Sequence, residues 1–308
     1  MQKISVAMFV MAVTAAGVGC QPQAAARGTT PASRPAEPGK ATVAGTLEQR
    51  LARLEAAYAR NAAALEFLAK VYASQQQQQE AADRDEPAAD AMFAVDIADD
   101  VKAGQVDGPP GAAVTVIKAF DFACPYCAQT AAMLEELVKD YKGKVRVVYM
   151  NLVVHPPARP AHLASCAAAK QGKYNQFKRA FWDNGYAAYA AGHDASKLGE
   201  DNIVAIARTV GLDVGKLKAD MASPACAARV EHDMTELAKF HVNATPTFFI
   251  NGKQLGGAMP KEGFEQLIDE QLKVVEASGV PAADYYAKIV LGTGEKQFRS
   301  KLDPKPGK

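Results

Sequence analysis

Phe120-Asp121-Phe122-Ala123-Cys124-Pro125-Tyr126-Cys127 lies where an apolar run, Val114 to Phe120, hands over to a segment of helical periodicity that begins at Pro125. Proline suits the first helical position, because its fixed φ matches a helix start and its missing N–H has no partner to lose there. Met133, Leu134, Leu137, Val138 and Tyr141 give the following segment one apolar face. The passage therefore reads as strand 114–120, a short loop, then helix 125–141. Cys124 falls at the cap of that helix, where free N–H groups and the positive end of the helix dipole favour a thiolate. Cys127 follows one turn later on the same face, close enough to close a small disulfide ring.

A Cys-x-x-Cys pair is also half of a zinc site or a structural bridge. A structural zinc takes four ligands, commonly as two such pairs or as Cys and His pairs. The sequence has no second Cys-x-x-Cys, and His155, His162, His193, His232 and His241 have no ligand spacing. A redox-active pair Cys124/Cys127, with no metal, is the reading that remains.

Residues 1–19 read as a signal peptide: Lys3 supplies a short positive start, and Ile4 to Ala16 is almost unbroken apolar sequence, too short for a permanent span. Gly17-Val18-Gly19-Cys20 ends that run and resembles the lipobox of bacterial lipoproteins, although leucine is usual where Gly17 stands. The resemblance implies lipidation of Cys20, and Gln21 after it fits outer-membrane sorting. The expectation is a periplasmic protein lipid-anchored to the outer membrane, with cleavage near the alanines at 24–26 and a soluble product as the alternative. Export places the remaining cysteines in an oxidising compartment. Besides the motif pair these are Cys166 and Cys226, expected to form a structural disulfide, against the alternative of two buried free thiols.

With 35 basic and 34 acidic residues in 308, the chain carries no electrostatic footprint for nucleic acid, and no nucleic-acid partner is expected. Residues 20–40 are rich in Ala, Pro, Gly, Thr and Ser and read as a flexible tether. Within residues 41–74, Leu47, Leu51, Leu54, Tyr58, Asn61, Leu65, Leu68 and Tyr72 recur at alternating steps of four and three, a heptad seam. It predicts a coiled-coil helix able to join copies of the chain, or else a single amphipathic helix packed on the main domain. Residues 75–92, with their glutamine run and acidic, Ala-rich stretch, read as a disordered linker. The main domain is expected over 93–279 and a C-terminal tail over 280–308.

Inside the domain the order is strand 114–120, helix 125–141, strand Val145 to Asn151, a helical block at about 158–241, then Thr247 to Ile250, Asn251-Gly252, Lys253 to Leu255 and a last helix from Pro260. Asn251-Gly252 between two short runs is a hairpin signal, because both residues tolerate positive φ. The order is an α/β thioredoxin arrangement with an inserted helical block.

Phe120 to Cys127, His155-Pro156 with Ala161 and Ala164 beyond it, Gln171-Gly172-Lys173, and Val242-Asn243-Ala244-Thr245-Pro246-Thr247-Phe248-Phe249-Ile250-Asn251-Gly252 resemble the DsbA family over nearly all of 93–279. The resemblance implies a thioredoxin fold, thiol-disulfide exchange with exported thiol- or disulfide-containing proteins, a membrane redox partner that resets the pair, and no bound cofactor. It makes Cys124 the nucleophile and Cys127 the resolving thiol. It also makes Thr245-Pro246 a cis-proline loop that, with Pro125 and Tyr126, meets an extended substrate.

Two positions depart from the family pattern. Tyr126 stands where strongly oxidising members have histidine, offering a hydroxyl but no cation for the thiolate. Lys118 stands six residues before Cys124, where thioredoxin-fold enzymes commonly place an acidic residue beneath the resolving cysteine. Lys118 is expected either to lower the Cys124 thiolate pKa by charge attraction or to pack its stem and reach solvent. The two departures leave three readings: an oxidase, a coiled-coil-linked isomerase or reductase, and, outside enzymes, a tethered chaperone.

Overall fold

The computed structural model describes residues 44–305. The expected signal peptide, Cys20 and the tether lie outside the described residues, as do residues 41–43 and 306–308. The chain divides into two compact units at Ala69/Lys70.

Helix α1 runs over Leu47–Asp85, 39 residues with none buried. The apolar seam residues from Leu47 to Tyr72 are all exposed, and Asn61 Nδ2 donates to the Ala57 carbonyl. The helix continues through the glutamines to Asp85, where a disordered linker was expected. Gln and Ala are good helix formers. Side chains four apart also pair, with Gln76 donating to Tyr72 Oη at 2.9 Å and Gln79 to Asp83 at 2.7 Å.

Five strands form one sheet in the order β1-β3-β2-β4-β5. They are β1 (Val106–Asp107), β2 (Val114–Phe120), β3 (Val145–Asn151), β4 (Thr247–Ile250) and β5 (Lys253–Gly256). β2 and β3 are parallel, with Lys118 opposite Tyr149, and β4 is antiparallel to β2. Every residue of β2 and β3 is buried, as expected of central strands covered on both faces. The β4–β5 turn has Asn251 at φ 45° and Gly252 at φ 86°. A Cβ on Gly252 would lie 2.9 Å from the Phe93 carbonyl oxygen, so the turn needs glycine.

Alternation along the strands sends two sets of side chains to opposite faces. Val116 and Phe120 of β2 and Val147 and Tyr149 of β3 meet α3 (Pro125–Asp140) and α10 (Lys261–Ala277) through Leu134, Leu137, Phe264 and Ile268. The helical insertion comprises α4 (Arg159–Lys170), α5 (Tyr174–Ala180), α6 (Ala187–Gly192), α7 (Glu200–Thr209), α8 (Val214–Met221) and α9 (Pro224–Ala238), with a π-helical turn at Phe181–Tyr186. Helices α4 to α8 join this side, whereas α9 sends Leu237 and Met234 to the opposite core. α2 (Ala98–Lys102) precedes the sheet.

Ile117, Ala119, Val148, Met150 and Phe249 point to the other face, which is covered from both flanks of the expected domain. Phe93 and Val95 come from one side, and Tyr285, Tyr286 and Val290 from α11 (Ala282–Tyr285) and the turn after it. Residues 88–92 and much of 280–300, read as linker and tail, thus contribute to the domain core: Ala88 and Ala91 are buried, and Val290 is fully so. Pro87 and Ser300, and Phe93 and Glu295, form isolated β-bridges. The physical reason is the second sheet face, which no element between 93 and 279 covers in full.

Candidate active site

β2 ends at Phe120, and Asp121 organises the loop that follows. Its fully buried carboxylate accepts N–H groups from Ala123 at 2.7 Å and from Val154 and His155 at 2.7 Å each. These bonds tie the start of the Cys-x-x-Cys loop to the segment after β3. A second support lies below. His162 of α4 is fully buried, and burial holds its ring down to about 4, hence neutral. Its Nδ1 meets Asn151 Oδ1 at 2.8 Å, and Nε2 accepts the Phe122 N–H at 3.4 Å. Asn151 donates to Asp233 at 2.6 Å, and Asp233 pairs with Arg229 at 3.1 Å. Arg229 in turn pairs with the buried Asp100.

Cys124 is the N-cap of α3, with extended backbone at φ −80° and ψ 121°, and Pro125 follows at the first turn. Both cysteines are free thiols; Cys124 is 3% exposed and Cys127 wholly buried. Tyr126 between them is 57% exposed. The Thr245-Pro246 peptide is cis, and the Cys124 thiol donates to the Thr245 carbonyl oxygen at 3.2 Å. The expected loop and the motif thus meet in space, 121 residues apart in sequence.

The two sulfurs are electrically unlike. The hydrogen bond from the Cys127 thiol is the largest influence on Cys124. With the Thr245 side chain and the backbone N–H groups of Cys127 and Tyr126, it outweighs burial and brings the Cys124 thiol down to about 5. Burial, then the hydrogen bond to Cys124, pushes the Cys127 thiol far up. The surroundings thus favour the thiolate at Cys124 and the thiol at Cys127.

Lys118 lies beneath the pair, 1% exposed, with Nζ donating to the Cys127 carbonyl oxygen at 2.9 Å. Its amine does not reach solvent. Cys166 and Cys226 are joined in a disulfide, their Cα atoms 5.7 Å apart, linking α4 to α9. Sequence reasoning missed Asn151, Arg229 and Asp233 and named His162 without a role: Asn151 and His162 signal only by polarity in apolar surroundings, and Arg229 and Asp233 lie among other charged residues of α9. It also missed Tyr186, whose hydroxyl is raised by burial and then by the nearby charge of Cys124. Among the described residues no cluster of His, Cys, Asp and Glu could hold a metal ion.

A family model described as "Thioredoxin" matches residues 100–270. The chain belongs to this thioredoxin family. Among solved structures, this thioredoxin-family chain is similar to a thioredoxin-like oxidoreductase from Silicibacter pomeroyi DSS-3, with 30% identity, 55% of this chain and 91% of that one covered, and a TM-score of 0.45. It is also similar to alpha-DsbA1 of Wolbachia pipientis, with 19% identity, 56% and 93% covered, and a TM-score of 0.50. The latter likeness concerns the fold: a thioredoxin sheet with a helical insertion of the DsbA kind. A curated relative, the Na(+)/H(+) antiporter NhaA of Herminiimonas arsenicoxydans, is 30% identical over 183 residues, which are 59% of this chain. The match spans only 28% of that antiporter's length. Among the described residues no helix is long and apolar enough to cross a membrane.

Proposed function

We propose that this protein is an exported thiol-disulfide oxidoreductase that exchanges disulfides with cell-envelope proteins through Cys124 and Cys127. The observation that carries this reading is geometric: Cys124 caps α3 beside the cis Thr245-Pro246 peptide, with Cys127 buried one turn on, and the Cys124 thiol is held down to about 5 while burial pushes the Cys127 thiol up. In the oxidising direction a client thiolate attacks Cys124 of the 124–127 disulfide, and a second client thiol then displaces Cys124. In the reducing direction Cys124 attacks a client disulfide and Cys127 resolves the product. Thiolate stabilisation favours the reduced enzyme, so the resting disulfide is a donor even though Tyr126 supplies no cation. Clients are extended exported chains pairing with the Thr245 backbone, and a membrane redox protein reoxidises the pair.

Residues 1–19 and Cys20 support export and lipid anchoring at the outer membrane. The test is trapping: a Cys127→Ala variant in the periplasm accumulates mixed disulfides at Cys124 with exported proteins, whereas Cys124→Ser accumulates none. Absence of adducts in Cys127→Ala, with the protein present at parent level, contradicts the reading.

A second reading, an oligomeric isomerase, is favoured by one observation, the exposed seam of α1. Strict heptad spacing with Asn61 at a core position suits self-association in fixed register. Several catalytic units on one stalk would then act on the same misfolded client.

A further inference from the structure

Lys118 points from β2 toward α3, on the side of the sheet that carries Val116 and Phe120. Burying an ammonium group is costly unless a negative charge or several hydrogen bonds answer it. Among the described residues Nζ donates one hydrogen bond, to the Cys127 carbonyl oxygen at 2.9 Å, and the Trp182 ring centroid is 5.9 Å away. The other buried cation on this side, Lys178 of α5, has a like charge; its Nζ lies 3.7 Å from the Tyr149 ring centroid and 3.8 Å from Glu135. Burial brings Lys118 down to about 8, and the two sulfurs hold its proton, Cys127 before Cys124. In the other direction, Lys118 is the charge that pulls the Cys127 thiol down against burial, whereas hydrogen bonds are what lower Cys124.

We infer that Lys118 is the electrostatic partner of the resolving sulfur: its ammonium group stabilises the Cys127 thiolate that forms each time the 124–127 bond opens or closes. The inference rests on the redox reading of the pair and adds a role that the sequence reading gave to Cys124. When a client thiolate attacks Cys124 Sγ, the client–Cys124 bond forms, the 124–127 bond breaks, and its electron pair leaves on Cys127 Sγ, in the residue whose carbonyl oxygen the buried Lys118 ammonium holds. A second client thiolate then frees Cys124 as a thiolate. The client is oxidised by two electrons and the enzyme disulfide reduced; of the two client protons, one ends on Cys127 and one in solvent. In resolution the same charge lowers the barrier in reverse, as Cys127 gives up its proton to water and attacks Cys124. Lys118 is thus a positioning residue that works through Cys127.

The full-length protein with Cys124 carrying glutathione as a mixed disulfide provides the test. Release of glutathione is followed in the parent, Lys118→Met and Lys118→Arg, while the Cys124 thiolate is titrated by its ultraviolet absorbance in the reduced proteins. The methionine variant is expected to release glutathione about tenfold more slowly, the effect of a one-unit rise in the Cys127 pKa. The Cys124 midpoint stays put, and arginine restores most of the rate. Release at the parent rate from Lys118→Met overturns the inference, and so does a shifted Cys124 midpoint with unchanged release. Should the methionine variant fail to fold, Lys118→Gln, which keeps a donor for the Cys127 carbonyl oxygen but carries no charge, takes its place: slowed release is expected, and release at the parent rate overturns the inference. A mixed disulfide that never forms removes the redox reading itself.

Discussion

Cys124 carries the sharpest consequence at the residue scale. Its thiol stands near about 5 against an ordinary value of 9.0. The stabilisation it gives the reduced fold is therefore full above the unfolded value and is lost as pH falls through the folded one. The melting-temperature gap between reduced and oxidised protein is expected to shift against the reduced form on acidification toward about pH 4. A gap independent of pH contradicts the assignment. Alkylation of reduced protein by iodoacetamide should titrate with a midpoint near about 5 at Cys124 and leave Cys127 untouched at neutral pH. Asp121 gives a stability test. Asp121→Ala strips acceptors from three N–H groups, and urea unfolding should show a loss on the order of 3 kcal/mol. The two cysteines were legible from spacing alone, and Asp121 could be read as a loop residue. His162, Asn151 and Asp233 were not, because their partners come from separate elements and a linear pattern holds no trace of that meeting.

Elements were most readable where one local rule decided them. The apolar runs of β2 and β3, Pro125 at the start of α3 and Asn251-Gly252 in the hairpin each carry their own physical cause. Gly252→Ala should cost at least about 2 kcal/mol in chemical denaturation, since it adds a Cβ at positive φ against the Phe93 backbone. The Cys166–Cys226 disulfide closes a long loop between α4 and α9, which also present His162 and Asp233 to the site. Replacing both cysteines by serine should lower stability by about 2–5 kcal/mol, measured by unfolding with and without reductant. With the 124–127 pair already reduced in both proteins, stronger reductant should destabilise the parent and leave that variant unchanged. Harder to read was the end of α1, where polar glutamines suggested disorder although they are adequate helix formers.

At the scale of the whole molecule, the boundaries were the least legible part. Residues on both sides of 93–279 enter the second core through Ala88, Tyr285, Tyr286 and Val290. Their apolar side chains are spaced too irregularly to declare a strand or helix face, and only the uncovered side of the sheet shows what they are for. The exposed seam of α1 makes a further molecular prediction: light scattering of the mature protein should give a multiple of the protomer mass, and a Leu54→Glu, Leu65→Glu variant should run as a monomer. A parent that is monomeric at all concentrations removes the oligomeric reading while leaving the active site intact. Disulfide exchange at Cys124 and Cys127 can be read by equilibrating the purified protein with defined glutathione ratios and trapping both thiols. The pair is expected to interconvert fully and to settle at a potential above the glutathione couple, as a stabilised Cys124 thiolate requires. A pair that stays reduced or oxidised at every ratio, without exchanging, contradicts the account.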